Sequence, residues 1–149
     1  MTFEPQDPDF ESRVRDSFDR QTFMRLIGAT MTEVLPGRVT IELPVRAELQ
    51  QQHGYVHAGA TSAIADTAGG FAAATLFPAD SSVLTVDFKV NLISPAEGVL
   101  LKAVGRVVKP GRQLTTCDVE VFACLADGRE KICAKMLQTM ICIAARNGQ

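Results

Sequence analysis

No apolar run in this 149-residue sequence is long enough to cross a bilayer as a helix. Neither sign of charge is in strong excess: 15 Lys and Arg against 17 Asp and Glu leave a formal net charge of −2, with no basic stripe. Duplex nucleic acid, whose binding draws on clustered cations, is therefore not an expected partner. Residues Met1–Glu11 are polar and acidic, with Pro5 and Pro8. They lack the basic start and apolar middle of a secretion signal, so a cytoplasmic location is expected. The four cysteines, Cys117, Cys124, Cys133 and Cys142, contain no C-x-x-C pair. A zinc or redox motif has no support, and in a reducing compartment they read as small core residues. No G-x-S-x-G elbow surrounds Ser62, and no G-x-G-x-x-G or Walker motif occurs, which argues against serine-triad, dinucleotide and NTP chemistry. No repeat, low-complexity tract or linker divides the chain. With 46% hydrophobic and 21% charged residues, it reads as one domain over residues 1–149, frayed at 1–9.

Phe10, Val14 and Phe18 recur at a spacing of four with charges between them, which predicts an amphipathic helix ending near Gln21. A short helical turn over Phe23–Ile27 is closed by Gly28. Val39, Ile41 and Leu43 alternate with Arg38, Thr40 and Glu42, a strand closed by Pro44. Arg46–Val56 reads as loop. Ala58–Leu76 differs from the rest: it is rich in Ala and Gly and apolar nearly all round, so it predicts a buried helix. Gly69 and Gly70 would weaken such a helix in isolation, so packing must sustain it. From Ser81 the period becomes two. Leu84, Val86, Phe88, Val90 and Leu92 are expected on one face, and Val83, Thr85, Asp87, Lys89 and Asn91 on the other. Strands at about Val99–Lys109, Leu114–Leu125 and Lys131–Ile143 follow, separated by the turn signals Pro110-Gly111 and Asp127-Gly128. The fold class is α+β: a curved antiparallel sheet wrapped around a central apolar helix. Its open sheet edges predict pairing between copies of the chain.

Asp66 is the only formal charge between Gly54 and Ala79. A carboxylate on an apolar helix is costly unless paired or hydrated. It either touches water at a helix edge or caps a neighbour, or it is a general base or nucleophile. The stretch His57-Ala58-Gly59 leads directly into that helix. The first N–H groups of a helix have no internal partner and carry partial positive charge, so they can hold a carbonyl oxygen that becomes negative. Gly59 is expected to let a substrate approach the backbone. His57 can act as a base, though a turn-fixing role is favoured. His53, His57 and Asp66 match no familiar metal spacing.

Gln51, His57-Ala58-Gly59 and Asp66, spaced six and nine residues apart, together resemble the active-site signature of the hot-dog-fold acyl-CoA thioesterases. The closest group is the phenylacetyl-CoA thioesterase-like branch. Phe23–Gly28, Thr85–Asn91 with Ser94-Pro95-Ala96, and Lys109–Arg112 resemble further segments of that family, so about Phe23–Ile143 is covered. The resemblance implies that Asp66 activates water or attacks the thioester carbonyl. It implies that Gln51 lies near the carbonyl and the water, and that His57 orients the turn. The backbone N–H of Ala58, helped by Gly59, would polarise the thioester oxygen, and Thr85 would position water. Ala58 stands where the family's H-G-G has its first Gly, and Thr85 where Ser is frequent. The family also implies a homo-oligomer, a dimer or a tetramer built as a dimer of dimers. In it, Asp66 of one copy faces the His57 turn of the other. No cofactor beyond the CoA of the substrate is implied. Lys109 and Arg112, flanking Gly111, are the candidates to meet the CoA phosphates. Medium- or long-chain fatty acyl groups and aryl-acetyl groups both fit. The rival readings are a hydratase or dehydratase on the same fold and a non-catalytic acyl-CoA-binding protein.

Overall fold

A computed structural model describes residues 2–144. Helices α1 (Phe10–Asp19) and α2 (Thr22–Ile27) are followed by strands β1 (Thr30–Leu35) and β2 (Arg38–Pro44), and then by a short 3-10 turn at Ala47–Leu49. The central helix α3 (Ala58–Ala74) comes next, followed by β3 (Ser81–Leu92), β4 (Leu100–Lys109), β5 (Leu114–Cys124) and β6 (Glu130–Ala144). Among the described residues the six strands form one antiparallel sheet in the order β1-β2-β4-β5-β6-β3. This is the wrapped-helix architecture that the resemblance implies.

The sheet curves around α3 because both surfaces are apolar and closely matched. Ile64, Ala65, Ala68 and Ala72 of the helix are wholly buried, as are Ile41, Leu43, Leu101 and Val119 of the strands. Each large aliphatic side chain so buried contributes about 1.5–3 kcal/mol against conformational entropy. Small residues set the spacing. A Cβ at Gly105 of β4 would lie 2.5 Å from the Ala68 carbonyl carbon, so only glycine allows the strand this close to the helix.

Three expectations need correction. Strand β1 stands beyond the five strands read from the sequence. It is an edge strand, mostly exposed, with an irregular register between Met31 and Glu33, so its hydrophobic alternation is faint. Residues 3–9 are not frayed: Phe3 packs on the core, Asp7 is buried against Arg13, and Gln6 donates to the Leu76 carbonyl. Finally, β3 does not alternate uniformly. Thr85 pairs with Met140 but Asp87 pairs with Thr139, so Val86 is an extra residue in a β-bulge. Cross-strand partners share a face, and Met140, Gln138 and Met136 are buried toward α3. Thr85, Phe88 and Val90 therefore lie on the helix side together, while Asp87 and Lys89 lie opposite.

Candidate active site

The bulge delivers Thr85 to Asp66. Asp66 sits in the middle of α3, half-buried, and its Oδ1 accepts a hydrogen bond from Thr85 Oγ1 at 2.7 Å. The same oxygen accepts from Gln138 Nε2 at 2.9 Å. Gln138 belongs to β6 and is 1% exposed. The carboxylate borders a crevice of about 150 Å³ lined by Gly70, Phe71, Val83, Thr85 and Met140. Gln21, Thr67 and Leu84 complete the lining, so polar and apolar groups share it.

Gln138 is absent from the residues expected at the site. One signal could have found it: in β6 it falls in phase with Ala134, Met136 and Met140, all buried. A polar residue in the buried phase of a strand needs a partner, and the only charge on the apolar helix is the natural candidate.

The other half of the site is built at the start of α3. His57 occupies the N-cap position, and its Nδ1 accepts from the Gly59 N–H at 2.8 Å. Acceptance at Nδ1 puts the proton of the neutral ring on Nε2. His57 thus orients the turn through its ring and through its backbone, whose N–H donates to the Leu49 carbonyl. Gly59 was expected to open the backbone to substrate and to help polarise the thioester oxygen, and both expectations need correction. Its N–H is already taken by His57, and a Cβ there would lie 2.9 Å from Nδ1, so glycine makes room for the imidazole. The Ala60 and Thr61 N–H groups both reach the His57 carbonyl. Among the described residues, the Ala58 N–H is left as the unpaired donor of the first turn.

Gln51 lies in the preceding loop, where its backbone N–H bonds the Tyr55 carbonyl and its Oε1 accepts from the His53 N–H. Among the described residues its amide nitrogen has no hydrogen-bond partner. Gln51, His57, Ala58 and Thr61 line a groove of about 470 Å³ completed by Leu92 and Ile93 at the end of β3. Cys133 also borders this groove, but desolvation raises its thiol pKa to about 11, so it is no nucleophile at neutral pH. Burial likewise pushes Cys117 up to about 12.

The two halves do not meet within one chain. Neither Asp66 nor Thr85 lines the groove, and neither Gln51 nor His57 lines the crevice. Eight residues of helix separate Ala58 from Asp66, about 12 Å along the axis at 1.5 Å per residue. Lys109 and Arg112 are exposed at the β4–β5 turn and line neither hollow.

Comparison with known proteins agrees with this architecture. Residues 53–124 match the model of the thioesterase superfamily. A thioesterase family protein from Silicibacter pomeroyi is 43% identical to this chain. The match covers 91% of this chain and 99% of that one, with a TM-score of 0.89. The 1,4-dihydroxy-2-naphthoyl-CoA hydrolase of Listeria monocytogenes is 22% identical over 95 residues, which is 64% of this chain and 77% of that protein. The E. coli PaaI protein, from the phenylacetic acid degradation operon, is 16% identical with a TM-score of 0.80. It covers 92% of this chain and 95% of its own, and so shares the fold.

Proposed function

The chain belongs to the thioesterase superfamily, whose members are thioester hydrolases, and from that membership we propose that it hydrolyses acyl-CoA thioesters at a site shared between two copies, with Asp66 as base or nucleophile. The CoA part of this reading is supported by the named activity of the Listeria relative. The observation that carries the site is the separation of its two halves. A carboxylate beside a crevice and a helix N-terminus with one N–H unpaired among the described residues are both present, yet they are too far apart in one chain to act on a single carbonyl. Reacting groups must approach to about 3–3.5 Å.

A second copy closes the distance. β3 is an edge strand, and Leu84, Val86, Phe88 and Leu92 on it are 45–57% exposed. Long apolar edges invite pairing. Antiparallel pairing of β3 with its counterpart about a two-fold axis at Lys89 matches Phe88 with Val90 on the helix side and, with Val86 left out as the bulge residue, sets Thr85 of one copy opposite Leu92 of the other. Thr85 touches Asp66 and Leu92 lines the His57 groove, so the pairing brings crevice and groove together. Leu84, Leu114 and Leu137 on the sheet's outer face are 51–59% exposed, which supports a further pairing into a tetramer.

In the proposed reaction the acyl group enters the crevice and the pantetheine arm lies in the groove. The Ala58 N–H polarises the thioester oxygen. Asp66 takes a proton from water as the water oxygen bonds to the carbonyl carbon. The tetrahedral intermediate then collapses, the C–S bond breaks, and the departing thiolate takes that proton. Alternatively Asp66 attacks the carbon itself and the C–S bond breaks as CoA leaves as thiolate; water then hydrolyses the resulting anhydride, which releases the acid, restores the carboxylate and supplies the thiolate's proton. The Gln51 amide nitrogen would hold the water or the carbonyl, and Thr85 holds the carboxylate. Lys109 and Arg112 would meet the CoA phosphates only in the assembled oligomer.

A thiol-release assay over acyl-CoAs of fatty and aryl-acetyl type tests the proposal. Asp66→Asn should reduce kcat by about 100- to 10,000-fold, the range of general acid–base contributions, with the fold preserved. A folded variant with near-normal turnover would remove Asp66 from the mechanism.

A further inference from the structure

The amide of Gln138 is buried at a cost that the core alone does not explain. Its Nε2 donates to Asp66 Oδ1 at 2.9 Å, and a longer contact of 3.4 Å reaches the Asp66 carbonyl. Its Oε1 is buried with no partner. Leaving a buried acceptor unsatisfied destabilises a fold, and an apolar residue of similar volume would pack between Met136 and Met140 without that cost. The helix also yields to make room. A Cβ at Gly69 would lie 1.6 Å from Gln138 Oε1 and 2.9 Å from Val119 Cγ2. A glycine inside a helix is itself unfavourable. An unsatisfied acceptor and a mid-helix glycine therefore both serve one hydrogen bond to one carboxylate oxygen.

We propose that Gln138 is a positioning residue for Asp66. Together with Thr85 it places two donors on Oδ1, which fixes the plane of the carboxylate. Oδ2, which accepts from no described residue, is then the oxygen presented to water or to the thioester carbon. The arrangement survives the catalytic cycle. When Oδ2 holds the water proton, Oδ1 is a carbonyl oxygen and still accepts from both donors. A neutral amide suits this task better than lysine or arginine, whose charge would form an ion pair and reduce the basicity of the carboxylate. The inference rests on the reading of Asp66 as the reacting group.

The test uses Gln138→Leu and Gln138→Met, which keep volume or length and remove the donor, measured in parallel with Asp66→Asn. Both Gln138 variants should lose about 10- to 100-fold in kcat, the effect of a misplaced reacting group. KM should be nearly unchanged, and Tm equal to or above that of the parent. Parental kcat in the folded Gln138 variants would overturn the proposal. Failure of both to fold would also overturn it, since it would place Gln138 in the stability of the core. If Asp66→Asn itself turns over normally, the reading of Asp66 falls. If Asp66→Asn is inactive and Gln138→Leu is normal, only this inference falls.

Discussion

At the residue scale, the proposed oxyanion site rests on one peptide N–H. His57 takes the Gly59 N–H and leaves that of Ala58 unpaired. Proline is tolerated at the first helical position, where its missing N–H costs the helix nothing. His57 already has φ −58° and ψ 137°, the conformation favoured before proline. Ala58→Pro should therefore keep the helix and delete the donor, lowering kcat by about 100- to 1,000-fold with little change in Tm. Steady-state kinetics beside a thermal melt would check this, and an unchanged kcat would place the oxyanion elsewhere. Asp66, His57 and Gln51 were legible from sequence because each departs from its surroundings: a charge in an apolar run, polar groups ahead of a helix. The purpose of Gly59 and of Gly69 was not legible. Each makes room for a side chain, that of His57 or of Gln138, and the second lies 69 positions away along the chain.

At the element scale, the bulge in β3 and the anchoring of α3 matter most. The strands and the buried helix could be read from periodicity, but a period of two carries no sign of one extra residue. Val86 resets the phase, and without that reset Thr85 could not share a face with Phe88 and Gln138. β1 escaped for a related reason: an exposed edge strand with a register shift shows too little alternation to be recognised. The C-terminal end of α3 is held by the N-terminal segment. Arg13 Nη2 donates to the carbonyls of Ala74 and Phe77, while its Nε pairs with Asp7 at 2.7 Å. Arg13→Ala leaves helix-end carbonyls and a buried carboxylate without partners. It should lower Tm by roughly 4–8 °C, from the usual worth of charged hydrogen bonds in a chain of this size. The hydrogen bond from Arg13, and then that from the Asp9 N–H, hold the Asp7 carboxyl below its ordinary pKa of 3.8. A carboxyl lowered on folding contributes stability above that ordinary value and loses it as pH falls toward the folded one. The Tm difference between the parent and Asp7→Asn should thus be constant near neutrality and shrink below about pH 4. A difference that grew with acid would contradict the pairing.

At the scale of the whole molecule, the proposed dimer has each copy carry half of two sites. The proposed pair gives the apolar edge of β3 and the 12 Å or so of helix between Ala58 and Asp66 one explanation. The unprotected sheet edges had already suggested a partner from the sequence. Which halves it joins required the fold, because Leu92, Thr85 and the two hollows are neighbours only in three dimensions. Complementation tests the shared site most directly. Asp66→Asn and Ala58→Pro proteins, each inactive alone, are unfolded together, refolded as a mixture and assayed for thiol release. With random pairing, half of the dimers are mixed and each regains one intact site, so activity should recover to about one quarter of the parent's. If Asp66 and the Ala58 N–H instead served the same substrate within one chain, no mixture would contain an intact site, and activity would stay at the level of the separate variants.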